Sequence, residues 1–463
     1  MNNFEETLNK SNETIVALAT PHGRGGVAVI RVSGSNIQTI ATQLLGHIPR
    51  KRYAEYLPFL AENGSTIDEG LALYFPAPNS FTGEDVLELQ GHGGPVIVDC
   101  LLKRVMQLGA RLARPGEFTE RAFLNSKLDL IQAEAISDLI DAESEQAARA
   151  AMRSLQGDFS QRINQMRDTL ISLRTWLEAA IDFADENIDF LKDAEVINKL
   201  HSILAGIQEI KNLAKQGALL KEGLNLAIVG PPNAGKSSLL NRLSAQESSI
   251  VTPFAGTTRD VIRERIQIEG LLLNIVDTAG LRITTEEIEK EGIKRTLAEI
   301  VKADLILWVI DHATTSIGDL KFWKEQQTYL KNIFSDKRII LVRNKIDLKQ
   351  EKASIGREMG FDVIKLSVET GEGLTLLFNF LKKCAGYTIS SEGNFSARRR
   401  HLEALTNTEV ALSNGLIKLK ENHFPELLAE DLLIAQNFLG EITGQFTTND
   451  LLGKIFSSFC IGK

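Results

Sequence analysis

Cysteine is almost absent: Cys100, Cys384 and Cys460 are the three in 463 residues, with no paired spacing. That excludes a disulfide framework and a cysteine-built zinc site, and it fits a reducing compartment, so a cytoplasmic protein is expected. A basic, apolar leader is missing too. Met1 to Ser11 is polar and carries Glu5 and Glu6, whereas a secretory signal starts basic and turns apolar. Long apolar runs are likewise lacking. Ala303 to Ile310 and Ile339 to Val342 are far too short to span a bilayer and fit buried strands, so no membrane association is expected. Positive charge is not in excess, since 52 basic and 60 acidic residues leave a net charge of −8. This argues against a non-specific nucleic-acid coat while leaving room for a local basic patch.

What is present points to several domains, because one core rarely grows to this length. Residues 1–120 mix short β-type runs, Val27 to Val32, Gly70 to Phe75 and Val86 to Gln90, with glycine and proline turns, which predicts an α+β domain. Residues 121–222 have few glycines, no proline and helical periodicity through Ile163, Leu170, Leu173 and Leu177. Residues 223–384 alternate apolar strands with helices, as a parallel α/β sheet requires. The stretch 385–463 is helical again, with Leu402, Leu405, Leu416 and Leu419. Two helical segments around an α/β block predict a helical bundle domain with that block inserted in it.

The chemistry sits in that block. A buried strand, Leu224 to Val229, runs into Gly230-Pro-Pro-Asn-Ala-Gly-Lys-Ser237 and then into a helix beginning at Ser238, the setting of a P-loop. Backbone N–H groups of Asn233, Ala234 and Gly235 can wrap a β-phosphate, with the helix N-terminus behind them. Lys236 reaches the β- and γ-phosphates, and the Ser237 hydroxyl is placed for Mg²⁺. Ile275-Val-Asp-Thr-Ala-Gly280 puts Asp277 at a strand end, where it can hold that ion through water, with Thr278, Ala279 and Gly280 turning toward the γ-phosphate. In Gly256-Thr-Thr-Arg-Asp260 one threonine can close on Mg²⁺ and the γ-phosphate, and Thr258 is the candidate.

The base is read from Ile339-Ile-Leu-Val-Arg-Asn-Lys-Ile-Asp347. With Asn344 and Lys345 supporting it, Asp347 can accept two hydrogen bonds from the N1–H and 2-amino group of guanine, a donor pair adenine lacks. Ser367, Val368 and Glu369 sit where the last guanine-contacting loop belongs, although Val368 departs from the usual Ser-Ala start. After Gly280 comes Leu281, where many GTPases carry the glutamine that orients water. Hydrolysis then needs the acids of Glu286-Glu-Ile-Glu289, Glu291, a monovalent cation or a partner's group. Together these motifs identify the inserted block as a Ras-like P-loop GTPase domain. The run Arg398-Arg-Arg-His401 can touch a nucleic acid, but a helix start with solvated charges is the simpler expectation.

These motifs, joined to Ala19-Thr-Pro-His-Gly-Arg-Gly-Gly26, Pro78-Asn-Ser-Phe-Thr-Gly-Glu-Asp85, Gly91-His-Gly-Gly94, Arg114-Pro-Gly-Glu-Phe-Thr119 and Phe459-Cys-Ile-Gly-Lys463, closely resemble the MnmE family, also called TrmE, over essentially the whole chain. The resemblance implies a GTPase that works on tRNA with a flavoprotein partner, MnmG, in a heterotetramer. Together they place a carboxymethylaminomethyl or aminomethyl group on C5 of the wobble uridine. It implies an N-terminal folate-binding domain and a reduced folate, 5-formyl- or 5,10-methylenetetrahydrofolate, held by Arg31, Glu88, Lys127 and Lys463, with FAD and NADH supplied through the partner. It implies K⁺ beside the phosphates, on the side chains of Asn233 and Thr257 and the carbonyls of Thr252 and Phe254, and a homodimer whose G domains pair. Glu289 matches the residue that positions water, and Cys460 matches the functional terminal cysteine. A ribosome-assembly-type regulatory GTPase would share every G-domain motif, but not the N-terminal blocks or the terminal Cys-Ile-Gly-Lys. A folate-dependent aminomethyl carrier would leave the G domain without a task.

Overall fold

The computed structural model describes residues 13–182, 193–245, 263–268, 270–277, 303–314, 338–358, 360–387, 395–422, 425–445 and 449–462. They divide into two compact units. One comprises Met1–Ser137, Ser154–Ala205 and Ala404–Lys463, the other Asp138–Arg153 and Gly206–Glu403.

The first unit holds a six-stranded sheet of order β3-β4-β5-β2-β1-β6. Its strands are β1 (Ile15–Leu18), β2 (Gly25–Ser33), β3 (Glu55–Leu60), β4 (Thr66–Phe75), β5 (Val86–Gly93) and β6 (Arg111–Leu112). All neighbours pair antiparallel except β1 and β6. Alternation decides the faces: Ala28, Ile30 and Val32 of β2 are buried, while Val29 and Arg31 point the other way. Helix α1 (Ile37–Leu45) buries Ile37, Ile40, Ala41, Leu44 and Leu45, the spacing of one helical stripe, and α2 (Pro95–Gln107) buries Leu101 and Val105. These residues share one core with Ile30, Leu87 and Leu89 of the sheet.

Helices α3 (Glu117–Leu124), α4 (Leu130–Ile140), α5 (Glu145–Gln156), α6 (Asp158–Asp182) and α7 (Asp193–Glu222) follow. The second unit then builds β7 (Leu224–Val229), α8 (Lys236–Ala245), β8 (Arg263–Ile268), β9 (Leu271–Asp277), β10 (Leu305–Asp311), β11 (Arg338–Asn344), β12 (Ser354–Glu358), β13 (Phe361–Lys365) and α9 (Leu374–Ala385). Its sheet has the order β12-β13-β11-β10-β7-β9-β8. The five central strands are parallel, but β8 and β12 run antiparallel at the two edges, so the sheet is mixed rather than wholly parallel. Leu305 to Ile310 is buried at every position, as a central strand covered on both faces must be. The chain closes with α10 (Arg399–Asn422), α11 (Pro425–Thr443) and α12 (Asn449–Ser457). Within the first unit α11 packs along α6, where Arg174 donates to Gln436 at 2.8 Å. No helix among the described residues is long and apolar enough to cross a membrane.

The basic run Arg398 to His401 is split by the fold. Arg398 donates to Asp138 at 2.7 Å, and His401 is buried, its Nδ1 accepting from the Arg398 N–H at 3.0 Å. Arg399 stays exposed beside Glu403. The expected helix start with solvated charges therefore holds for Arg399 and fails for Arg398, which the buried Asp138 carboxylate draws inward, and for His401, which is buried against the Arg398 backbone.

Candidate functional site

Parallel strands deliver their loops to one end of the sheet, and the motifs sit on those loops. β7 ends at Val229, the P-loop follows, and α8 opens with Lys236, Ser237 and Ser238. Asn233 (φ +62°) and Gly235 (φ +95°) take left-handed backbone conformations that curl the loop. At Gly235 only a hydrogen fits, since a Cβ would overlap Asn344 Nδ2. The Lys236 ammonium donates to the carbonyls of Gly230 and Pro231, each at 2.9 Å, which bends it across the loop it follows.

Asn344 ends β11 and fastens three motifs together. Its Nδ2 donates to Ala234 O at 2.9 Å, and its Oδ1 accepts from Val368 N–H at 3.0 Å. Lys345 is held at φ +69°, and its ammonium meets Asp311 Oδ2 at 2.8 Å. Burial works upward on the Asp311 carboxyl, but Lys345 and the Ala313 N–H override it and hold it below the usual carboxylate range. Asp311 escaped the sequence reading, although a strand-end aspartate in the manner of Asp277 was the available signal. Asp347 follows in a 3₁₀ turn, Ile346–Lys349. Its Oδ1 is buried without a hydrogen-bond partner among the described residues. A buried acceptor of that kind is costly unless a donor meets it, and the N1–H and 2-amino group of guanine form a matching pair.

The Ser367 loop is held by its own hydrogen bonds. Ser367 Oγ accepts from Thr370 N–H at 3.2 Å, and Ser367 N–H donates to Glu372 O at 2.9 Å. Val368 turns its side chain into the core of the α/β unit while its N–H goes to Asn344, so the departure from alanine leaves the backbone in place. Glu369 is exposed on the same turn. Of the other expected nucleotide and cation residues, Asp277 closes β9, while Thr252, Phe254, Thr257, Thr258, Thr278, Ala279, Gly280 and Glu289 lie outside the described residues.

A second constellation lies in the first unit. Arg31 and Glu88 face each other across β2 and β5, joined at 2.9 Å, with the guanidinium 5.5 Å from the Phe81 ring and 5.8 Å from the Phe118 ring. Lys127 donates to Pro78 O at 3.1 Å, so Arg31, Glu88 and Lys127 gather around the loop from Pro78 to Glu84. The C-terminal segment is docked nearby: Phe459 is buried with Phe456 and Leu130, Cys460 O accepts from Gly116 N–H at 3.3 Å, and Gly462 packs on the Leu18 backbone at the end of β1. Cys460 is exposed and Lys463 lies outside the described residues. Sequence reading also missed the charge chain beneath. Ser33 Oγ meets Thr82 Oγ1 and donates to Glu84 Oε2, each at 2.7 Å, Arg121 bridges Glu84 and Glu117 at 3.0 and 3.1 Å, and Arg111 pairs with Glu117 at 2.6 Å. Burial pushes the Glu117 carboxyl up, yet hydrogen bonds from Arg111, the Arg114 N–H and Arg121 outweigh it and hold the group at about 2.

Comparison with known proteins decides the family. A family model described as the MnmE helical domain matches residues 130–460, and one described as the GTP-binding protein TrmE N-terminus matches residues 14–127. The chain belongs to the MnmE family of tRNA modification GTPases. The tRNA modification GTPase MnmE of Histophilus somni is 56% identical over 455 residues, covering 98% of this chain and all of that protein. Its namesakes from Haemophilus influenzae and Yersinia pestis are each 54% identical, over 97% and 98% of this chain and the whole of each relative. The MnmE helical match begins before the seven-stranded sheet and ends after it.

Proposed function

We propose that this MnmE-family GTPase is the GTP-hydrolysing component of a cytoplasmic complex that adds a carboxymethylaminomethyl or aminomethyl group to C5 of the wobble uridine of tRNA. Support comes from one juxtaposition: Arg31, Glu88 and Lys127 gather around the loop from Pro78 to Glu84, and the docked Phe459-Cys-Ile-Gly segment lies against the neighbouring strand β1. Arg31 and Lys127 can meet pterin carbonyl or glutamyl carboxylate oxygens, Glu88 can accept paired pterin N–H donors, and Lys463 would add a further cation. A reduced folate bound there would supply the one-carbon unit, with FAD and NADH reaching the reaction through the flavoprotein MnmG.

In the α/β unit the division of labour is as follows. The P-loop backbone and Lys236 hold the phosphates, Ser237 and Thr258 hold Mg²⁺, and Asp347 with Asn344 and the Ser367 loop selects guanine. Asn233, Thr257 and the carbonyls of Thr252 and Phe254 would take K⁺, whose positive charge stands in for an arginine finger as paired G domains of a homodimer meet. Glu289, the position that matches the family's water-positioning residue, would orient the water.

The test is mass spectrometry of tRNA nucleosides after deletion of the gene and complementation with this chain. Loss of the modified wobble uridine on deletion and its return on complementation are expected. An unchanged nucleoside profile would remove the proposal.

A further inference from the structure

Helix α5 belongs by its packing to the GTPase sheet. Ala150 is 3% exposed and shares one core with Ile266 and Ile268 of β8, Leu271 of β9, Leu220 and Tyr387. The Ala150 carbonyl accepts from Ser396 N–H at 3.1 Å. At the β8–β9 turn Gly270 lies against Gln146 and Tyr387, where a methyl group would meet Gln146 Cδ and Tyr387 Oη at 2.9 Å each. Ahead of the helix, Glu143 pairs with Arg265 of β8 at 2.7 Å.

The hairpin on which α5 sits has a particular place in the chain. Gly256 to Asp260 precedes β8 in sequence, and Asp277-Thr-Ala-Gly280 ends β9 and follows it. In a P-loop GTPase, strands strung between two γ-phosphate-sensing segments are loaded at both ends when the nucleotide changes. β8 is an edge strand, so it can shift while disturbing a single ladder. A cavity of about 500 Å³, lined by Ala147, Ala150, Arg265 and Gln267 on one side and reaching Asp138 and Lys221, leaves room beside this contact.

The roots of the sheet, by contrast, are pinned. Asp138, 5% exposed, takes the Lys221 ammonium just before β7, Arg398 at 2.7 Å and Ser396 Oγ at 2.5 Å on the returning chain. These charge-assisted ties converge on one buried carboxylate, and breaking them would strand it. The exposed Glu143–Arg265 pair has no such penalty. We infer that helix α5 is the output element of this GTPase, reading the position of the β8–β9 hairpin against sheet roots fixed by Asp138.

Amide hydrogen exchange of residues 145–153 in the full-length protein, with GDP and with a non-hydrolysable GTP analogue, tests this. The account expects exchange in that segment to differ by about fivefold or more between the two nucleotides. Arg265→Glu, which sets like charges face to face, should shrink that difference while nucleotide binding stays, and adding Glu143→Arg should restore it. Equal exchange of wild-type residues 145–153 in both nucleotides would overturn the inference even if Arg265→Glu failed to fold. So would an undiminished difference in a folded Arg265→Glu protein.

Discussion

Asn344 and Ala234 are joined across 110 residues of sequence by a buried hydrogen bond of 2.9 Å, and the other end of the same amide holds Val368 at 3.0 Å. One side chain thus sets the spacing between the phosphate loop and both base-side loops. Asn344→Ala leaves Ala234 O and Val368 N–H without partners, at about 1–3 kcal/mol for each buried group. Guanine-nucleotide affinity should fall about tenfold or more while the protein stays folded, as titration with a fluorescent GDP analogue would show. Unchanged affinity would mean that the loops are spaced by something else.

Glu117 links the acid limb of stability to the N-terminal unit. Its folded carboxyl, at about 2, lies below the ordinary value of 4.5, so its contribution is fully present above about pH 4.5 and is lost as pH falls through the folded value. The side chain is 2% exposed, and the contribution is on the order of 3 kcal/mol. Glu117→Gln should lower stability at neutral pH and flatten its dependence between pH 4.5 and 2 in denaturant titrations. An acid limb as steep as that of the wild type would contradict this assignment.

The strand–loop–helix that opens the α/β unit was legible in the sequence because its parts are local. A strand, a glycine-bearing loop and a helix within twenty residues carry their own geometry, as Leu224 to Leu243 shows, and Asn344, Lys345 and Asp347 are read in the same way. Long-range charge pairing was not legible. Nothing near Arg398 indicates that Asp138 will draw it inward, and nothing near Arg121 indicates that it will bridge Glu84 and Glu117. The edge strands β8 and β12 run antiparallel because each is joined to its neighbour by a short turn, which an alternating strand–helix pattern conceals.

Gly462 tests the docking of the terminal motif. At φ +97° its Cα lies so close to Leu18 O that an added Cβ would overlap it. Gly462→Ala should dislodge the tail, weaken binding of 5-formyltetrahydrofolate about tenfold or more, and leave GTP hydrolysis intact. Equal folate affinity in the variant would separate the terminal segment from that site.

Cation and water placement are tested in one hydrolysis assay. Replacing potassium by sodium should slow GTP turnover about tenfold or more, and Glu289→Ala should keep GTP binding while abolishing turnover. Equal rates in the two salts would exclude the cation role, and normal turnover in the variant would move water positioning to another group.

Calorimetric titration of the pure protein with GDP, ADP and XDP tests the guanine-reading role proposed for Asp347 most directly. Wild type should prefer GDP over ADP by at least about a hundredfold, and Asp347→Asn should lose GDP affinity while gaining XDP, which presents a carbonyl where guanine has its amino group. ADP binding as well as GDP to the wild type, or an Asp347→Asn protein with its nucleotide preference unchanged, would contradict it.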